Sequence, residues 1–311
     1  MKISRSGPRL FILLICSTGI SAAAADETRM FWSSPWDHKI QSARLDGSDV
    51  RDVITNANGP YGFDIDIAEG KIYWAANFVG AIKRANLDGT DVETLVTGMQ
   101  NPLGVALDPL GDKMYFTNQH AGKVQRANLD GSGLEDLITG RKYTGNISID
   151  QVNHRIYWND TPDGLGWGVR RANLNGSSFQ TVAPSLSPQD IEFDVANSKV
   201  FWADRGSRQV YKADMNGANK ETLFFIDRNI TGLALDLPGS KAYWTDDTNG
   251  VIGRTNFDGT NTQILVTGIN SPFTLMIVSI PVPEPTGGVL AALGVASVAF
   301  VCLRNRSRIA R

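Results

Sequence analysis

The sequence has 311 residues, of which 42% are hydrophobic and 20% are charged, and its formal net charge is −2. These proportions are ordinary for a folded globular protein and exclude an intrinsically disordered chain. The 31 glycines and 13 prolines predict many turns rather than long helices.

The first 25 residues have the organisation of a secretory signal peptide. Basic residues precede an apolar run, and a stretch of small residues ends at Ala25. We therefore predict export, with cleavage after Ala25. A lipoprotein site at Cys16 is the less favoured alternative, because the bulky Ile15 precedes the cysteine where a small residue is normally required.

An aromatic pair recurs through the chain at intervals of 42 or 44 residues. The second members of the pair are Trp32, Trp74, Phe116, Trp158, Trp202 and Trp244. An Asp-Gly or Asn-Gly dipeptide follows each pair, 14 residues later in five copies and 17 residues later in the fourth. Such dipeptides between alternating apolar runs are the strongest short-range signal of a β-hairpin.

Each copy of the repeat contains four short strand patterns. In the third copy these patterns span 102–108, 113–117, 123–129 and 134–139. Four strands in about 42 residues are typical of a propeller blade. The sequence therefore predicts an all-β, six-bladed β-propeller of four-stranded antiparallel blades over residues 26–280.

The phase of the repeat also predicts how the ring closes. The first copy begins with a second strand at 29–33, and the last copy ends with an unpaired first strand at 272–278. The C-terminal strand should therefore complete the N-terminal blade, which removes the open edge between the ends of the ring.

At residues 243–246 the chain reads Tyr-Trp-Thr-Asp, which resembles the YWTD (class B) repeat of the low-density lipoprotein receptor family. The resemblance covers residues 29–278 and implies a six-bladed propeller. Animal relatives usually have cysteine-rich modules beside the propeller. Here the only cysteines are Cys16 and Cys302, in the two terminal segments, so the receptor functions of those relatives are not transferred.

An aspartate recurs at the end of the first strand in five copies, at Asp66, Asp108, Asp150, Asp194 and Asp236. We expect these side chains to accept hydrogen bonds from the amides of turns and strand ends, and not to take part in chemistry.

Residues 281–311 resemble the PEP-CTERM sorting tail of bacterial exosortase substrates. Pro283, Glu284 and Pro285 precede an apolar segment at 287–303, and an arginine cluster follows. The resemblance implies an exosortase-like processing enzyme as partner and transient membrane anchoring. It also implies a final location in the cell envelope, at the cell surface or in the extracellular matrix. A plain C-terminal membrane anchor is the alternative.

Removal of residues 1–25 and 283–311 changes the charge of the remaining domain. It takes seven basic residues from 30 and one acidic residue from 32, which leaves a net charge of about −8. Such a charge disfavours nucleic acid and anionic lipid as partners.

The loops on one face of the predicted ring differ between the copies. Equivalent positions between the second and third strands hold Trp36, Phe78 and His120, and Trp167 lies in an insertion at 162–167. The residues that lead into each first strand should lie on the same face. The candidate ligand-binding residues are Trp36, His38, Tyr61, Phe78, Leu103, His120, Trp167, Gln189, Arg205 and Phe273.

An exposed aromatic patch at these loops would suit a polypeptide or an exopolysaccharide, because flat rings give contact area at a low entropic cost. The alternative is that the rings only cap the packing of each blade. We therefore expect a non-enzymatic binding or scaffold protein without a cofactor, and a purely structural envelope protein is a third possibility.

Catalytic motifs are largely missing from the sequence. The three histidines have no metal-ligand spacing, and no nucleophile elbow or phosphate loop is found. Asp64 and Glu192 occupy equivalent positions in opposite blades and are weak metal candidates, for which local hydrogen bonding is the favoured role. The alternative function is that of a propeller hydrolase or lyase with a divalent metal at the channel mouth. It would require a third ligand converging with this pair.

Overall fold

The computed structural model describes residues 26–161 and 166–280, and in these residues 24 β-strands form six antiparallel four-stranded sheets. Blade 1 consists of β24 (Leu275–Ile280), β1 (Glu27–Ser34), β2 (Lys39–Arg44) and β3 (Arg51–Ile54). Blade 2 consists of β4 (Pro60–Asp66), β5 (Lys71–Ala76), β6 (Ala81–Asn86) and β7 (Glu93–Val96). Blade 3 consists of β8 (Pro102–Asp108), β9 (Lys113–Asn118), β10 (Lys123–Asn128) and β11 (Glu135–Ile138).

The remaining blades follow the same order. Blade 4 consists of β12 (Tyr143–Asp150), β13 (Arg155–Thr161), β14 (Gly168–Asn173) and β15 (Gln180–Pro184). Blade 5 consists of β16 (Pro188–Asp194), β17 (Lys199–Asp204), β18 (Gln209–Asp214) and β19 (Glu221–Phe225). Blade 6 consists of β20 (Ile230–Asp236), β21 (Lys241–Asp246), β22 (Val251–Asn256) and β23 (Gln263–Thr267). Two 3₁₀ turns span Asn77–Val79 and Pro109–Gly111.

The first strands of successive blades contact one another around the ring, in the order β4, β8, β12, β16, β20 and β24. This arrangement confirms the predicted six-bladed propeller. The predicted signal peptide, the predicted sorting tail and residues 162–165 of the insertion lie outside the described residues. Within the described part of the chain, no helix has the length and apolar character needed to cross a membrane.

Strand β24 closes the ring by pairing with β1, as the phase of the repeat predicts. The register runs from Trp32 opposite Leu275 to Glu27 opposite Ile280. The strand begins later than residue 272 because the ladder is irregular there. Ser33 donates its backbone N–H to the carbonyl of Thr274 at 3.1 Å and accepts from Phe273 at 3.0 Å. The other first-to-second strand pairs have the same kind of irregularity near their first residues.

The Asp-Gly hairpins join the third and fourth strands of the blades. In blade 1 the N–H of Gly47 donates to the carbonyl of Arg44 at 2.9 Å, and Gly47 has φ 86°. This geometry is a tight turn followed by a left-handed glycine, which non-glycine residues adopt at a cost. Asp46 accepts a hydrogen bond from the N–H of Ser48 at 2.9 Å, so both residues of the dipeptide hold the turn.

The aromatic pairs form the core between neighbouring blades, as expected. Each second member of the pair, from Trp32 to Trp244, is fully buried. In the contact between blades 1 and 2, Trp74 packs with Phe31 and Phe63, and its indole N–H donates to the carbonyl of Ala57 at 2.8 Å. Each such ring buries an area of roughly 150–250 Å², which makes the repeated pair the main source of blade-to-blade cohesion.

The recurrent first-strand aspartates bond the turns that follow them, which confirms their predicted role. Each carboxylate accepts the backbone N–H three residues ahead, at distances between 2.9 and 3.2 Å. These contacts explain why a carboxylate recurs at the end of the first strand.

Candidate functional site

Five rings form one cluster on the face that has the loops between second and third strands. We call Trp36, His38, Tyr61, Phe78 and Phe273 the aromatic cluster. Phe78 is at its centre, with ring centroids 5.1 Å from Trp36, 5.4 Å from His38 and 6.4 Å from Tyr61. Tyr61 in turn lies 4.9 Å from Phe273, so the cluster joins loops of blades 1 and 2 to the segment before β24.

The backbone of two loops positions the cluster. Phe78 lies in the turn at Asn77–Val79, and its N–H donates to the carbonyl of Asn58 at 3.2 Å. The ring of Phe78 covers Gly59 so closely that a Cβ at that glycine would lie 2.6 Å from it. His38 has φ 56° and accepts from the N–H of Ala57 at 2.7 Å. The rings are therefore held by ordered backbone.

Two rings of the cluster, the central Phe78 and the neighbouring Trp36, are open to solvent. Trp36 is 58% exposed and Phe78 is 41% exposed. Tyr61 is half-buried, and burial, together with the nearby carboxylate of Asp247, raises the pKa of its hydroxyl. The interplanar angles lie between 54° and 82°, so the rings meet edge to face and form a ridged apolar surface without a flat platform.

Three other predicted binding residues have no ring contact with the cluster in the part of the chain that the structure describes. His120 has its ring contact with Tyr143 at 5.9 Å. Leu103 is buried, and Trp167 is half-buried with its carbonyl accepting from the N–H of Ser185. The structure thus joins Trp36 and Phe78, but within the described residues no ring contact extends this pair to His120.

The two remaining polar candidates have local partners. The side-chain amide of Gln189 donates to the hydroxyl of Ser187 at 3.1 Å. Arg205 forms an ion pair with Asp247 at 2.9 Å. Since Asp247 also acts on Tyr61, Arg205 belongs to the surroundings of the aromatic cluster.

Aspartates at the end of the second strand in blades 4 and 5 bond the loops of this face. Asp160 is fully buried and pairs with Arg141 at 2.6 Å and with Arg170 at 2.8 Å. Asp204 accepts from the N–H of Leu186 at 2.8 Å. Carboxylates at the end of the second strand therefore order the loops that lead to and from it.

A second candidate region is the central channel. The first strands present two rings of residues to it at alternating positions. The first ring contains Gly62, Gly104, Asn146, Asp190, Gly232 and Thr274, and the second contains Asp64, Ala106, Ser148, Glu192, Ala234 and Met276. Ten of these twelve residues line a cavity of about 250 Å³.

Three carboxyl groups lie in this channel. Asp64 accepts from the N–H of Leu107 in the next blade at 2.8 Å, and Asp190 accepts from Leu233 in the next blade at 3.1 Å. These bonds confirm the hydrogen-bonding role expected of Asp64. For Glu192, the hydrogen-bond donor found among the described residues is the adjacent N–H of Phe193.

Burial governs the ionisation of all three groups. Desolvation raises the pKa of Asp64 to about 6 and that of Asp190 to about 7. Desolvation, with repulsion from the other two carboxylates, holds the pKa of Glu192 well above its usual range. In the described residues, no three His, Cys, Asp or Glu side chains converge as ligands of a metal ion.

The prediction from sequence missed Asp190, Asn146 and Thr274. Alignment of the copies on the first-strand aspartate places all three at one position, and strand periodicity puts that position on the same face as Glu192. The sequence therefore contains this alignment, but three of the six copies have glycine at the position, so it does not stand out as a set of polar residues.

No known family profile matches the sequence. Among solved structures, a chain from the crystal structure of a nidogen/laminin complex has a TM-score of 0.72 at 19% identity, covering 80% of this chain and 98% of that one. TolB from Acinetobacter baumannii has a TM-score of 0.66 at 15% identity, covering 80% and 66%. The gluconolactonase XC5397 from Xanthomonas campestris has a TM-score of 0.59 at 16% identity, covering 71% and 83%. At these identities the likeness shows the fold alone, and this fold supports both binding proteins and hydrolases.

Proposed function

We propose that this protein is a YWTD-type propeller that binds a polypeptide through its aromatic cluster and catalyses no reaction. The observation that supports this most directly is the contiguous cluster around Phe78, with Trp36 and Phe78 exposed to solvent. Exposed aromatic anchors on a rigid scaffold are the residues that most often dominate protein–protein binding energy.

The geometry favours a polypeptide over a polysaccharide. Sugars stack on flat ring faces, whereas edge-to-face rings leave ridges between which apolar side chains insert. The net charge of about −8 on the domain without its two terminal segments favours a partner segment with basic as well as apolar residues. The nidogen/laminin neighbour supplies a precedent for this fold in a protein complex and nothing more.

The hydrolase or lyase alternative has less support. It needs a metal-binding group at the channel, and in the residues that the structure describes no three potential ligands converge. The gluconolactonase neighbour shares the fold at 16% identity, which assigns no activity to this chain.

Binding can be tested with the full-length protein on a random-peptide display library and on a glycan array. We expect enrichment of peptides that have aromatic or aliphatic residues beside lysine or arginine. Phe78→Ala and Trp36→Ala should each weaken binding of the selected peptides at least tenfold, because each removes an exposed ring of the cluster.

The matched control for this test is Phe225→Ala, since Phe225 is also exposed but lies on the fourth strand of blade 5. It should leave binding unchanged. Binding of glycans alone would replace the polypeptide with a polysaccharide as ligand. If neither the peptide library nor the glycan array gives a ligand, the proposed binding function is refuted.

We also propose that the protein is exported and displayed at the cell surface after an exosortase-like enzyme processes its tail. The proposal rests on the sequence pattern of residues 1–25 and 281–311. Replacement of Pro283, Glu284 and Pro285 by alanine should leave an unprocessed chain in the membrane fraction, whereas the parent chain should lose its tail. Mass spectrometry of the two fractions distinguishes these outcomes, and an intact tail on the parent chain would identify a plain anchor instead.

A further inference from the structure

The charge of the central channel has no partner within the protein. Of the residues that line the cavity, the titratable ones are Asp64, Asp190 and Glu192, and none is lysine, arginine or histidine. In the described part of the chain, none of the three takes part in a salt bridge. Buried carboxylates without a counter-ion are costly, so either protons or a bound cation must compensate them.

Two polar side chains that line the same cavity also lack partners. Asn146 is 4% exposed, and neither its side-chain oxygen nor its nitrogen has a hydrogen-bond partner in the described residues. Thr274 is 7% exposed, and its hydroxyl likewise has none. An unsatisfied buried polar group costs about 1–3 kcal/mol. The cavity is therefore built to hold water or a polar ligand at these groups.

The placement of the carboxyl groups fits an organic cation better than a bare metal ion. A calcium ion needs several oxygen atoms at about 2.3–2.6 Å from one point, and no such convergence of carboxylates occurs among the described residues. Asp64 and Glu192 instead lie in opposite blades, on β4 and β16. An ammonium group needs only nearby acceptors for its N–H donors, and its carbon chain tolerates apolar walls such as Ala106 and Met276.

We propose that the central channel is a binding site for a small alkyldiammonium compound. Glu192 and Asp190 hold one ammonium group, and the Asn146 oxygen and the Thr274 hydroxyl accept further N–H bonds from it. Asp64, in the opposite blade, holds the second ammonium group, and the carbon chain between the two lies against Met276. The cavity of about 250 Å³ has room for such a compound, since it equals the volume of roughly eight water molecules. None of the five residues of the aromatic cluster lines this cavity, and the proposal does not depend on the function proposed for the cluster.

The test uses putrescine as the probe and the full-length protein at pH 8, which is above the pKa values of Asp64 and Asp190. Isothermal titration calorimetry should show saturable binding of one equivalent, and saturating putrescine should raise the melting temperature by several degrees. 1-Butanol, a neutral compound of similar size, should do neither. Glu192→Gln should weaken the binding of putrescine at least tenfold, because it removes the carboxylate charge and keeps the shape of the side chain.

Glu69→Gln is the matched control, since it makes the same chemical change on an exposed turn. Its affinity for putrescine should equal that of the parent protein. Equal binding by the Glu192→Gln variant would place the ligand elsewhere and overturn the proposal. So would the absence of saturable putrescine binding, or binding of calcium chloride with no response to putrescine.

Discussion

The carboxyl groups of Asp64, Asp190 and Glu192 lie where burial opposes their ionisation. Two of them also connect neighbouring blades by accepting backbone N–H groups. Their protonation state therefore contributes to the stability of the ring. A group whose pKa is higher in the folded than in the unfolded state binds more protons when folded.

We predict that the free energy of unfolding falls as the pH rises from about 4 to 8 without a bound cation. The stabilisation from these groups is fully present below pH 4 and is lost as the pH rises through about 6 for Asp64 and about 7 for Asp190. For Asp190 the loss is on the order of 3 kcal/mol, or roughly 10 °C in melting temperature. Thermal unfolding at pH 5 and at pH 8 measures this difference in melting temperature.

Asp190→Asn removes the titrating group while keeping an acceptor for Leu233, so its melting temperature should change less between the two pH values. Glu69→Gln again serves as the control, and its melting temperature should fall between pH 5 and pH 8 as much as that of the parent protein. A parent-like slope in the Asp190→Asn variant would show that burial does not perturb this carboxyl.

In blades 4, 5 and 6 a carboxylate at the end of the second strand orders the loops of the aromatic face. In blade 4 this role belongs to Asp160. Its carboxylate forms ion pairs with Arg141 and Arg170 and accepts a hydrogen bond from the indole N–H of Trp158 at 3.0 Å. Arg170 is itself buried, so its guanidinium depends on this carboxylate. Removal of one partner from a buried ion pair leaves an uncompensated charge.

Asp160→Asn should therefore destabilise the fold by about 3–5 kcal/mol. Asp136→Asn is the comparison, because its ion pair with Lys123 is exposed and should be worth less than about 1 kcal/mol. Urea denaturation of the two variants gives the difference. Similar decreases in the free energy of unfolding of the two variants would mean that the ion pairs of Asp160 do not hold blade 4 together.

Closure of the ring is a property of the whole molecule. Blade 1 is assembled from the two ends of the propeller, and Thr28 lies directly opposite Ser279, with their hydroxyl oxygens 2.8 Å apart. Separation of β24 from β1 would expose an edge of β1 and open the ring between blades 6 and 1. The pairing of β1 with β24 therefore limits the stability of all six blades together.

A disulfide between positions 28 and 279 should strengthen this closure. We predict that Thr28→Cys with Ser279→Cys, in a chain whose Cys16 and Cys302 are changed to serine, gains roughly 2–5 kcal/mol when oxidised, because the bond closes a very long loop. Calorimetry with and without a reductant measures the gain. The single Thr28→Cys variant should show none, and equal melting temperatures in the two redox states would show that opening of blade 1 does not limit unfolding.

The sequence by itself determined the number of blades, their strand order and the closing strand. It did so because turn dipeptides and strand periodicity are local signals, and because six phased copies reinforce one another. It also identified the buried tryptophans and the turn-bonding aspartates. The start of β24 was predicted too early, since the ladder irregularity beside Ser33 depends on pairing across the ring.

Only the tertiary structure decided which candidate residues meet. Ring closure brings Phe273 against Tyr61, which is 212 positions earlier in the chain, whereas His120 pairs with Tyr143 away from the aromatic cluster. The channel likewise gathers Asp64, Asp190 and Glu192 into one cavity, where Asp190 is buried and the other two are partly buried. Contact and burial arise from the closed ring, so the periodicity that predicts each strand cannot give them.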